Sequence, residues 1–78
     1  MEIKVRLYTI LKDYGKNRIG DDDSMNITEN TTLKGLALHL NIPEKLGKVY
    51  LVNGAHRDRD YILQEGDNVK IFSFFGGG

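Results

Sequence analysis

The stripe Leu33, Leu36, Ala37 and Leu40 has i, i+3, i+4, i+7 spacing and marks an amphipathic helix. It spans about nine residues, and isolated helices shorter than roughly 12–15 residues are marginal in water. Its apolar face must therefore rest on a sheet. Thr32 is the natural N-cap, because its hydroxyl can accept from an orphan N–H of the first turn. Pro43 restricts Ile42 to extended geometry, so the helix is expected to stop before it. Gly35 falls opposite the stripe and weakens the helix modestly.

The flanking segments supply the strands. Ile3, Val5 and Leu7 alternate with Lys4, Arg6 and Tyr8, the period-2 pattern of a half-buried strand. From Lys12 to Asp23 the chain turns polar, with Gly15, Gly20 and Asp21-Asp22-Asp23, and reads as a loop. Met25 and Ile27 alternate with Ser24, Asn26 and Thr28, giving a short strand expected to form a hairpin with the first. Lys48 to Val52 is a third strand closed by Asn53-Gly54, the strongest short hairpin-turn signal. Arg57 to Asp60 is charged and turn-like. Leu63 to Asp67 makes another turn, where Gly66 supplies a positive φ. The last strand is expected from Asn68 to Phe75, with Val69 and Ile71 on one face. The pattern predicts an α+β fold, a mixed sheet of four to five strands with one helix packed across it.

With 78 residues and no cysteine, the core must close without disulfides, and thiolate metal sites and a thiol nucleophile are excluded. Lys and Arg total 11 and Asp and Glu total 11, so no global field draws nucleic acid or anionic membrane. Neither is expected as a partner. The alternation near the N-terminus interrupts the apolar run a signal peptide needs, and no segment approaches transmembrane length. A cytoplasmic location is expected.

The chain ends in Gly76-Gly77-Gly78 directly after an apolar strand. Three glycines at a given site arise by chance in roughly a few of 10⁴ cases. Without Cβ atoms such an arm can enter a channel that admits little more than backbone. The alternative is an inert, disordered end. Other candidates are weaker. His39 lies off the helix stripe, and His56 falls in a charged turn with Arg57 and Asp58, so both are expected to be solvated. Asp21, Asp22 and Asp23 lack the alternating ligands of a calcium loop and read as a solvated acidic loop. No metal site, phosphate-binding loop, dinucleotide fingerprint or Ser-His-Asp set is present, so the chain offers no active site of its own.

The opening Ile3-Lys4-Val5-Arg6-Leu7-Tyr8, then Leu11 and Tyr14-Gly15, resembles the small subunit of molybdopterin synthase. Thr32-Leu33, Val52-Asn53 and Leu63-x-x-Gly66-Asp67-x-Val69 are shared with that subunit and with the thiamine-pathway sulfur carrier. The ending Phe75-Gly76-Gly77-Gly78 and the brief helix look more like the thiamine branch. The chain thus resembles the MoaD/ThiS-type sulfur-carrier family over its whole length, mixing features of the two branches.

That resemblance implies a β-grasp, ubiquitin-like fold, with the first and last strands parallel at the sheet centre. Residues 1–75 would form the domain and 76–78 a flexible tail. It implies that an activating enzyme of the ubiquitin-activating type uses ATP to adenylate the Gly78 carboxylate. A persulfide donor would then convert it to a thiocarboxylate. The sulfur would pass to a synthase or large subunit in molybdopterin or thiamine biosynthesis. The protein would bind no cofactor and would not be catalytic alone, although it could serve as the small subunit of a synthase complex. Two alternatives remain open: a ubiquitin-like modifier conjugated through Gly78, and a non-catalytic β-grasp binding module. If Val69 and Ile71 face the helix, Phe72 and Phe74 face the other way beside Arg6 and Tyr8. With Phe75 they form the candidate partner-binding face, since aromatics and arginine are enriched at interfaces.

Overall fold

A computed structural model describes residues 1–74. Strand β1 (Glu2–Leu7) is followed by a 3₁₀ helix (Thr9–Gly15), β2 (Ser24–Asn26), α1 (Leu33–His39), β3 (Lys48–Val52), β4 (Ala55–Arg57) and β5 (Asn68–Ser73). The five strands form one sheet in the order β2-β1-β5-β3-β4. β1 and β5 run parallel at its centre, and every other pairing is antiparallel. This is the β-grasp arrangement.

Alternation decides which residues the sheet buries. Ile3, Val5 and Leu7 of β1 and Val69 and Ile71 of β5 face the core, where they join Leu33, Leu36, Ala37 and Leu40. Burying one such Leu or Ile side chain stabilises by about 1.5–3 kcal/mol, and the short helix persists because of that contact. Its start is as expected: the Thr32 hydroxyl accepts from the Gly35 N–H at 3.0 Å. Its end is set earlier than Pro43. Asn41 is left-handed at φ 61°, and the Asn41 and Ile42 N–H groups donate to the Leu38 and Ala37 carbonyls at 2.9 and 3.0 Å. That is a Schellman cap with asparagine in the usual glycine position, and Ile42 folds back into the core.

Three expectations need correction. The segment expected as polar loop from Lys12 begins inside the 3₁₀ helix, because Leu11 is fully buried and Tyr14, three residues on, packs against the core. Side chains three apart eclipse in this helix, which suits a single apolar row. His56 lies in β4, opposite Leu51, rather than in a turn. Asn53 and Gly54, at φ 53° and 85°, make so tight a reversal that pairing resumes at once at Ala55. The last strand ends at Ser73, and Phe75 with the expected tail 76–78 lies outside the described residues. Among the described residues no helix is long and apolar enough to cross a membrane.

Candidate functional site

The helix covers one face of the sheet; the opposite face carries the candidate site. Residues of β1 and β5 that alternate with the core set point outward, so Lys4, Arg6 and Lys70 are exposed. Register places Arg6 directly beside Lys70, Leu51 beside Lys70 on the other side, and Val49 beside Phe72. Just past the end of β1, Tyr8 stacks on Phe72, with centroids 4.4 Å apart and rings 10° from parallel. The Tyr8 N–H donates to the Ile71 carbonyl at 3.1 Å, which holds the tyrosine backbone against β5. The outcome is a shelf of Tyr8, Phe72, Val49 and Leu51, half-buried, bordered by cations.

The acidic loop trims that charge. Asp22 and Asp23 lie 3.7 and 3.6 Å from the Lys4 and Arg6 nitrogens. Both pairs are open to solvent, where such contacts contribute little and are screened by salt. Hydrogen bonds from the Ser24 hydroxyl and N–H, at 2.6 and 3.1 Å, hold the Asp22 carboxyl below the usual carboxylate range. This turn-forming role, with Asp23 at φ 68°, accounts for Asp22 and Asp23. Among the described residues no group of acidic or histidine side chains could hold a metal. The Lys70 ammonium makes no hydrogen bond or ion pair among them, and its register neighbour Arg6 carries a like charge.

Of the expected partner-binding residues, Arg6, Tyr8 and Phe72 come together on this face. Phe74 is 69% exposed, and the tip of its ring lies at Gly47. Phe75, Gly76, Gly77 and Gly78 lie outside the described residues. Sequence reasoning missed Lys70, Val49 and Leu51. The alternation of β5 already set Lys70 beside Phe72, but the two β3 residues needed the β3–β5 register. His39 and His56 are exposed; the His39 carbonyl accepts from Arg18 Nη1 at 3.0 Å.

A second concavity, about 460 Å³, opens where α1 leaves β3 and β4 uncovered. Leu38, Ile42 and Tyr50 form its apolar part, and Lys34, Glu44, Arg57 and Asp58 its mixed rim. Lys34 and Glu44 already pair at 3.5 Å, and the Arg57 guanidinium lies 5.4 Å from the Tyr61 ring centre. No set of groups there converges on a reacting atom.

The sequence matches the ThiS family over residues 6–78. No curated protein matches it. Two solved structures share the fold. One, described as molybdopterin converting factor subunit 1 from Pyrococcus furiosus, has a TM-score of 0.69 at 17% identity, covering 94% of this chain and 97% of that one. The other, SAMP1 from Haloferax volcanii, has a TM-score of 0.65 at 14% identity and covers all of both chains.

Proposed function

This chain belongs to the ThiS family, and on that premise we propose that it is a sulfur carrier whose reactive group is the Gly78 carboxylate. The observation that carries the reading is the extent of the family match, which runs through Gly76 and Gly77 to Gly78 itself. The fold supports it. β5, the strand leading toward that end, lies at the sheet centre and contributes Phe72 and Lys70 to the open face. A partner docked on that face would meet the strand that leads to the terminus.

The chemistry divides between the two proteins. A carboxylate oxygen of Gly78 attacks the α-phosphorus of ATP in the activating enzyme, and pyrophosphate leaves. The outer sulfur of a persulfide then attacks the acyl carbon, and AMP departs with the C–O bond electrons. A thiol takes up the inner sulfur of the resulting acyl disulfide as a new disulfide, releasing the thiocarboxylate. ATP supplies the activation and the partner aligns the reactants, so the carrier supplies only a docking face and a reachable end. The sulfur then passes to a synthase or large subunit of the molybdopterin or thiamine pathway.

The test is peptide-level mass spectrometry after incubation with ATP, the cognate activating enzyme and a persulfide source. Exchange of oxygen for sulfur at Gly78, absent when Gly77 and Gly78 are deleted, supports the proposal. Peptide resolution is needed because oxidation of Met1 or Met25 adds nearly the same mass. An unmodified Gly78, while the same enzyme charges a known carrier, would overturn it. Conjugates that survive denaturation and reduction would instead assign a modifier, joined through the same adenylated end.

A further inference from the structure

Gly47 has no backbone reason to be glycine. Gly54 and Gly66 adopt φ of 85° and 81°, where a side chain is strained, but Gly47 does not lie in that region. What excludes a side chain is the Phe74 ring. A β-carbon at Gly47 would overlap Cζ of Phe74 and stand 2.6 and 2.9 Å from its Cε1 and Cε2, inside the 3.0 Å that real β-carbons respect.

The floor under the ring is stiff. Lys48, the next residue, sends its ammonium to the carbonyls of Leu46 and Pro43 at 2.7 and 3.1 Å, fastening the loop that delivers Gly47. Ser73 pairs with Lys48, so continuing the register sets Phe74 opposite Gly47. Yet Phe74 remains 69% exposed, so its ring adds little to the core. A glycine conserving space for a ring that contributes little burial points to direction rather than stability.

We infer that Gly47 is a positioning residue, whose bare α-carbon seats Phe74 and thereby sets the backbone heading at residue 74, from which the chain runs on to Gly78. The inference rests on the sulfur-carrier reading. Four residues reach at most about 14 Å, so the direction at their root governs where the carboxylate falls once the body has docked. A misplacement of about 1 Å at a reacting centre can cost 10²-fold. A loss of about tenfold in kcat, within that limit, is expected.

The experiment compares wild type, Gly47→Ala, Phe74→Ala and the double variant. It measures steady-state adenylation by the activating enzyme, thermal unfolding, and the nuclear Overhauser contact between the Phe74 ring and the Gly47 α-protons. Wild type should show the contact. Gly47→Ala should lose it and lower kcat while leaving KM nearly unchanged, with Tm equal or raised because alanine restricts the unfolded chain. The double variant should be no slower than Phe74→Ala alone, since both changes remove one contact. Equal charging of Gly47→Ala and wild type, additive losses, or a Tm that falls in step with kcat would overturn the positioning role and leave sulfur carriage standing. Failure of wild type itself to be charged overturns both.

Discussion

Asn53 and Asp67 are joined side chain to side chain: the Asn53 amide donates to Asp67 Oδ1 at 2.9 Å, and Asn53 Oδ1 accepts from the Asn68 N–H at 2.9 Å. The other carboxylate oxygen of Asp67 accepts from the Tyr61 hydroxyl at 3.1 Å and the Gln64 N–H at 2.8 Å. One carboxylate, 5% exposed, thus ties the β3–β4 turn to the segment that leads into β5. Replacing it by alanine strands three donors. We expect Asp67→Ala to cost about 2–4 kcal/mol, read as a lower urea midpoint with unchanged m-value. A loss below about 0.5 kcal/mol, the range of ordinary surface changes, would refute this account.

The cap of α1 yields a smaller effect. Thr32→Ala removes the acceptor for the Gly35 N–H and should destabilise by about 1 kcal/mol. Thr32→Ser keeps the hydroxyl and should retain most of that stability. Equal losses in the two variants would show that the methyl group matters rather than the cap.

Alkaline pH tests the phenols of Tyr50, buried, and Tyr61, partly buried. Burial holds Tyr50 above the usual phenol value of 10.0; burial, the hydrogen bond to Asp67 and the charge of that carboxylate do the same for Tyr61. The unfolded chain therefore gives up these protons first. The stability they contribute is complete below pH 10 and falls as pH rises beyond it, until the folded phenols ionise as well. Lys48 acts in the opposite sense: burial lowers its ammonium below 10.5, so the native state releases that proton first and stability recovers somewhat as pH rises toward that value. Urea unfolding from neutral to strongly alkaline pH should show a net fall that is shallower in Tyr50→Phe and Tyr61→Phe. A fall equally steep in both variants would locate its cause elsewhere.

The open face gives a prediction about docking. Arg6 and Lys70 are register neighbours of like charge, an arrangement that costs some stability. Changing Lys70 to glutamate should leave the fold as stable or slightly more so, whereas Arg6 is kept because it faces Asp23 at 3.6 Å. If the face meets an acidic partner surface, the same change should weaken binding to the activating enzyme, chiefly through the association rate, and flatten its salt dependence. Titration calorimetry and stopped-flow mixing at two ionic strengths would check this, and unaltered binding would remove the face from the interface.

What the sequence determined by itself was local. Alternation in β1 and β5, the Thr32 cap, the Asn53-Gly54 reversal and the four-residue stripe of α1 depend on periodicity and backbone sterics within a few residues. So does the separation of Val69 and Ile71 from Lys70 and Phe72. α1 stops before Pro43 as expected, but the stop is made by Asn41, which adopts the left-handed turn two residues earlier. Tyr14 was hidden in a segment read as polar loop, since Leu11 and Tyr14 alone set no period.

Only the tertiary structure decided which residues meet across strands. The Tyr8–Phe72 stack, the contiguity of Arg6 with Lys70, the seat of Phe74 on Gly47 and the convergence of Asn53, Tyr61 and Gln64 on Asp67 all depend on strand order and register. A shift of one residue in register would turn each of these strands to its opposite face. Register is chosen by the burial of the whole core at once, and no local stretch of sequence contains that sum.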